Sequence, residues 1–297
     1  MTPREAGFLL LTSQLGNPER KVLTAAQLRE LTRRMAAIPR LTEDRDLELR
    51  DLMILGYNRE MAMRILGLLE ERELLEYYVN RGKKTGCIPI TRVSSGYPAA
   101  LRIRLGGEAP GVLWARGDLS VLDTPGIALV GSRDLNPENR RFAEEAGRQA
   151  ANQELTLISG NARGADVTAQ NACLRAGGKV ISIVADSLVS HSIRDNVLYL
   201  SEDGFDEEFS AQRALSRNRC IHAMGALVLV AQANLQKGGT WDGTSRNLRF
   251  GWSRVCCFND GSDAAQVLEQ MGAELIAMEE LSDFGALLAK EQSLFDQ

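Results

Sequence analysis

The chain is poor in the residues that metal binding and much acid–base chemistry require. Its 297 residues include two histidines and five cysteines. The cysteines, Cys87, Cys173, Cys220, Cys256 and Cys257, never fall in a C-x-x-C pair, and only His191 and His222 could join them as ligands. That pattern argues against a structural zinc site, and neither a metal nor a cofactor is expected. Cys256 and Cys257 sit in an apolar run and read as reduced thiols on a strand. Neither sign of charge dominates: 35 Lys and Arg face 39 Asp and Glu, for a net charge of -4. Without a global basic field, any nucleic-acid binding must come from a local patch. No apolar run is long enough to span a bilayer, and the start, Met1-Thr-Pro-Arg-Glu5, has no signal-peptide core, so a cytoplasmic protein with no membrane partner is expected. What remains is an ordinary globular composition, long enough for one large domain or two.

Residues 1–84 carry leucines at helical spacing. Thr24 can cap a helix bearing Leu28 and Leu31, a second helix is suggested by Leu47, Leu49, Leu52 and Leu55, and Glu60 to Tyr78 repeats the pattern. Leu55-Gly56-Tyr57 between short helices resembles a helix-hairpin-helix turn. The surrounding residues are acidic on balance, which favours a plain helical bundle. Arg81-Gly-Lys-Lys-Thr-Gly86 breaks the pattern and marks a boundary between a small all-helical domain, 1–84, and a second domain, 85–297.

The second domain opens with short extended pieces at Ile88–Ile90, near Tyr97-Pro98 and Leu101, and at Val112–Ala115. From Ile127 the rhythm becomes regular. Apolar strands are expected at Ile127–Val130, Leu155–Ser159, Lys179–Val184, Asn196–Ser201, Ala226–Val230 and, last, Arg254–Phe258. Helices are expected at Glu138–Asn152, Asp166–Ala176 and about Glu207–His222, with a final helix over Leu281–Leu288. Near-continuous apolar strands alternating with helices predict an α/β fold, a Rossmann-like, doubly wound and mostly parallel sheet. Ligands of such sheets bind at the carboxyl ends of the strands.

Four loops converge on that edge. Gly131-Ser132-Arg133 places a guanidinium just past the first regular strand, where its planar fork suits phosphate. Ser159-Gly160-Asn161-Ala162-Arg163-Gly164-Ala165-Asp166 is a strand, a small loop and a helix start, an arrangement suited to an anion. Asp166 reads as a helix cap that shapes this loop rather than as a catalytic base. Asp186-Ser187 ends the next strand. Lys237-Gly238-Gly239-Thr240 reads as a backbone nest for phosphate oxygens, with Trp241 beside it to stack a base. It is neither a Walker A loop nor a dinucleotide fingerprint. Arg217-Asn218-Arg219, at the end of the helix leading into the Ala226 strand, adds two phosphate contacts and an amide. No carboxylate pair or nucleophile–histidine pair stands out, so no catalytic residue is expected.

Taken together, Tyr97-Pro98 with Leu101, Pro110-x-Val-Leu-Trp114 with Gly117, Val130-Gly-Ser-Arg133, Ser159-Gly-x-Ala-x-Gly-x-Asp166 and Arg217-Asn-Arg219 resemble the DNA-processing protein A family (DprA, also called Smf), in order, from about residue 88 to 275. The resemblance implies single-stranded DNA binding without catalytic turnover, homodimer formation, and loading of the RecA recombinase in transformation, repair or a phage-related response. The Gly-Gly-Thr-Trp stretch and the short segment after Asp186 mark a divergent branch, and the winged-helix tail of many members is not expected here. A second reading comes from the same Gly238-Gly-Thr stretch. It loosely resembles the nucleotide-phosphate loop of the cytokinin-activating phosphoribohydrolases (the lonely-guy family), although Ser245-Arg246-Asn247 stands where those enzymes carry a catalytic Glu. That alternative is a domain that senses a small nucleotide.

Overall fold

The computed structural model describes residues 1–37 and 46–289. Helices come first: α1 (Pro3–Thr12), α2 (Ala25–Ala36), α3 (Leu49–Ile54), α4 (Arg59–Glu70) and α5 (Arg72–Lys84). Local side chains fix several starts. Thr2 and Thr24 close capping boxes with Glu5 and Gln27, and Asn58 Oδ1 accepts from the Met61 amide at 2.9 Å, each satisfying amides that a helix leaves open at its N-terminus. Leu11, Leu28, Leu31, Leu52 and Ile65 form a small core of their own. Leu9 and Leu10 on α1, with Leu75, Tyr78 and Val79 on α5, instead join the core beneath the sheet that follows.

The strands are β1 (Cys87–Thr91), β2 (Val112–Gly117), β3 (Gly126–Val130), β4 (Thr156–Ser159), β5 (Lys179–Ile183), β6 (Val197–Ser201), β7 (Leu227–Val230), β8 (Arg254–Phe258) and β9 (Glu274–Ile276). They make one sheet in the order β1-β2-β6-β5-β4-β3-β7-β8-β9. From β6 to β9 every neighbouring pair is parallel, and β1 and β2 close one edge antiparallel. The remaining helices are α6 (Ala99–Leu105), α7 (Pro137–Asn152), α8 (Ala165–Arg175), α9 (Ala211–Met224), α10 (Gly238–Phe250), α11 (Asp263–Gln270) and α12 (Phe284–Ala289). Along β3, Ile127 and Leu129 pack with α7, α8 and α12, whereas Ala128 and Val130 pack with α6, α9 and α11. Strand side chains alternate between faces, so a strand covered on both sides is apolar at most positions on either face. That is why these strands read as unbroken runs, and the fold is α/β and doubly wound.

Chain order reverses at β3, with β4 on one side and β7 on the other, so the loops after β3 and β7 part there. Gln232 ties the two loops together. The Ser132 amide donates to its carbonyl and the Asn136 amide to its Oε1, both at 2.9 Å.

Five expectations change, the simplest being the final helix, which is α12 alone because Leu281 lies in a separate 3-10 turn, Met278–Ser282. The stretch around Leu101 is a helix, α6. Helix α9 begins at Ala211 rather than Glu207, because Ser210 caps it by accepting from the Arg213 amide, while the residues before it are pinned elsewhere. Phe205 packs on Tyr78 and Trp114, with ring centroids 4.7 and 5.0 Å away, and Asp206 accepts from the Tyr78 hydroxyl at 2.6 Å and pairs with Arg81. The Gly238–Thr240 stretch is not a loop but the first turn of α10. Glycine disfavours a helix, yet Gly243 lets α10 lie close on His222 of α9, where a Cβ would stand 3.0 Å from Nε2. Finally, Arg254–Phe258 is not the last strand. The three-residue β9 follows, too short to show a period, and is held by pairing with β8 and by an Arg254–Glu274 ion pair.

Helices α7 and α8 cross closely because Gly147 faces the backbone of Ala169, and a Cβ at Gly147 would overlap the Ala169 carbonyl. Gly147→Ala should therefore lower stability by about 1–3 kcal/mol, through a forced shift of packed backbone. The midpoint of urea unfolding measures this. An unchanged midpoint would contradict the close approach.

Candidate functional site

The site forms where β3, β4 and β5 end. A cleft of about 340 Å³ is lined by Arg133, Gly160, Arg163, Asp186, Phe209 and Arg217, among others. A second cavity of about 510 Å³ adjoins it, and Arg133 and Arg163 line both. Thus Arg133, Gly160, Arg163 and Arg217, four of the residues singled out in the sequence, meet at one place.

The floor is built around Asp166. Its buried carboxylate Oδ2 accepts from the Gly160 and Ala162 amides, each at 3.1 Å. It lies inside the first turn of α8, whose N-cap is Gly164, and it reaches back to the loop rather than capping the helix. Gly164 has φ +91, a conformation that side chains other than glycine avoid, and a Cβ there would strike the carbonyls of Ser132 and Arg133. Ser132 accepts from the Ala165 amide at 3.1 Å. With the amides of Gly160, Ala162 and Ala165 bound internally, the loop is a wall that carries Arg163.

Arg217 lies under this wall. Only 7% exposed, it donates to the Ile183 carbonyl and packs flat against Gly160, where any Cβ would overlap the guanidinium. Burial pushes the Asp166 carboxyl up, and Arg217 is the largest opposing influence. Burial likewise pushes Arg217 down, opposed first by Asp166 and then by Asp186. Each charge makes the other tolerable. His191 Nε2 donates to Asp186 Oδ1 at 3.0 Å, and this bond holds the Asp186 carboxyl below the usual carboxylate range.

The rim carries the accessible charge. Arg133 is exposed and forms no ion pair among the described residues. Arg163 reaches Asp134 at 2.8 Å, but both side chains are largely in water, so the pair is worth about 0–1 kcal/mol and yields readily to another anion.

Other candidates lie elsewhere. Ser159 is fully buried and accepts from Gln170 Nε2 at 2.7 Å. Arg219 turns away to Glu202, 2.6 Å from Oε2, and to the Glu108 carbonyl. Two residues are just over half a turn of helix, so Arg217 and Arg219 point in different directions and the triplet does not act as a pair. Asn218 donates to the Gly239 carbonyl at 3.0 Å and so joins α9 to the start of α10. Lys237 is the exposed N-cap residue of α10, while Trp241 packs half-buried against the sheet core rather than standing free. Gly131 faces Ala165 and Ala231 closely and has no room for a side chain.

Phe209 was not legible. It is 58% exposed at the cleft wall, within the acidic segment before α9 that reads as an ordinary helix start. An exposed ring beside two guanidiniums is a platform for a base or another planar group.

Removing the Asp166 carboxylate should be costly. Asp166→Ala strands two amides and takes from buried Arg217 the largest of its counter-charges, an expected loss of about 3–5 kcal/mol. Asp166→Asn keeps an oxygen for both amides and should cost less. Chemical denaturation of both variants checks the order, and equal losses would contradict the role given to the hydrogen bonds.

The chain is 31% identical over 182 residues to the DNA processing protein DprA of Streptococcus pneumoniae, a match covering 57% of this chain and 64% of that protein. The crystal structure of the Streptococcus pneumoniae protein superposes with a TM-score of 0.69 at 25% identity, over 93% of this chain and 95% of that one. DNA processing protein A of Helicobacter pylori, solved for its single-stranded DNA binding mode, shares the fold with a TM-score of 0.56 at 22% identity, over 69% of this chain and 96% of that one. The family description DNA recombination-mediator protein A matches residues 89–277, more than half the chain and all of the cleft, and the chain belongs to that family.

Proposed function

We propose that this chain is a recombination mediator that binds single-stranded DNA across the cleft at the carboxyl ends of β3, β4 and β5, without chemical turnover. The observation that carries the reading is the pair Arg133 and Arg163, exposed on a shared rim between two cavities, in a chain whose net charge is -4. The rim guanidiniums would take backbone phosphates, and Phe209 would stack a base. Arg217 would act from below, fixing the wall that presents Arg163. Lys237 at the start of α10 would extend the basic edge on the β7 side. Pairing of two copies and delivery of the strand to the RecA recombinase belong to the same proposal. The small-nucleotide alternative draws on Gly238–Thr244, which opens α10, away from the rim where Arg133 and Arg163 meet.

Binding to a fluorescent oligothymidine should weaken with salt at a log–log slope of about -0.7 per neutralised phosphate. Arg133→Glu and Arg163→Glu should each lower affinity and flatten that slope, with the melting temperature kept. Phe209→Ala should lose about 1–3 kcal/mol of binding on a base-bearing strand and nothing on an abasic one. Full affinity in both arginine variants would overturn the site. Absence of binding at low salt, with a mononucleotide raising the melting temperature, would favour the alternative.

A further inference from the structure

The larger of the two cavities is not needed to hold the bases at Phe209. It is an open trough between α7 and α8. One wall is a single flank of α8, with Gly164, Thr168, Asn171 and Arg175 at three- and four-residue spacing, and the other is Arg140 and Glu144 on α7. The walls stand within reach of one another, with Arg140 Nη1 3.4 Å from Thr168 Oγ1.

We infer that this trough carries the phosphate backbone of the same DNA strand after it leaves the cleft. The inference rests on the single-stranded DNA reading above. Three observations carry it. The trough and the cleft adjoin, since Arg133 and Arg163 line both. The trough is basic in an acidic chain: Arg133, Arg140, Arg163 and Arg175 face only Asp134 and Glu144, and Asp134 is already paired with Arg163. Its lining has no aromatic ring, so it has charges and small donors for a backbone but no platform for a base. From Gly164 to Arg175 the α8 flank runs about 16 Å at the rise of an α-helix. That is long for a single phosphate and suited to several in succession. A strand held this way keeps its bases turned to solvent.

The experiment compares oligothymidines of about 5 and about 16 nucleotides on the wild-type chain, Arg140→Glu/Arg175→Glu, Arg140→Gln/Arg175→Gln and Arg133→Glu. Both arginines of the double variants are exposed, and melting temperatures verify that the variants fold. The expected result is that the double Glu variant binds the longer strand roughly tenfold more weakly, with a salt slope reduced by about 1.4 for two lost phosphates. The Gln variant should fall in between, and the shorter strand should bind as before. If the longer strand keeps its affinity and slope while Arg133→Glu abolishes binding, the trough assignment fails and the cleft reading stands. Equal losses on both lengths would also overturn the trough as a separate segment. If the wild-type chain binds neither strand, the function reading itself falls.

Discussion

Two opposite charges buried under the edge of the sheet organise the site. A carboxylate or a guanidinium taken out of water alone costs several kcal/mol, and each becomes tolerable beside the other when hydrogen bonds satisfy what remains. Asp166 meets those terms by using backbone, and Arg217 does so in part, its Nε staying without a partner. Asp166 takes the amides of Gly160 and Ala162, and Arg217 donates to Ile183. The consequence is geometric. The loop after β4 is drawn down onto its own helix, Gly160 must lack a side chain to receive Arg217, and Gly164 must take a positive φ to clear the β3 loop. Arg163 is then left on the outside of that wall.

The same wall separates two environments. On one side stands an exposed ring, Phe209, and on the other a trough with guanidiniums and no ring. A polyanion with planar bases has use for both, one for stacking and one for charge. The position of Phe209 is set from a distance. Tyr78 and Arg81 of α5 hold Asp206, and Tyr78, Trp114 and Phe205 pack edge to face and tilted beside it. Helix α5 is therefore tied to the connecting segment at Asp206, with two residues between that anchor and Phe209.

Much of this fold could be read from the chain because burial on both faces leaves an unmistakable trace. Ile127–Val130 is apolar at every position and Lys179–Ile183 at three of five, and a strand with one face in water would alternate instead. The glycines and the arginine of the Ser159–Asp166 stretch were likewise legible, since a turn between strand and helix demands small residues there. The direction of each side chain was not. Arg217 and Arg219 are two residues apart, and helical geometry sends one under the cleft and the other to Glu202. Gly238–Thr240 looked like a loop because glycine lacks helix propensity, but packing of Gly243, Thr244 and Asn247 against α9 outweighs propensity there.

The amino-acid sequence by itself determined the periodicities, the turns and the family, because these depend on residues near one another in the chain and on the order of short motifs. Only the tertiary structure decided which charges face solvent. Arg133, Arg163 and Arg217 carry the same charge in the sequence. Their difference arises from Asp166, Asp134 and Ile183, partners brought beside them by strand order, and a buried guanidinium with a counter-ion holds a wall in place whereas an exposed one is free to meet a phosphate.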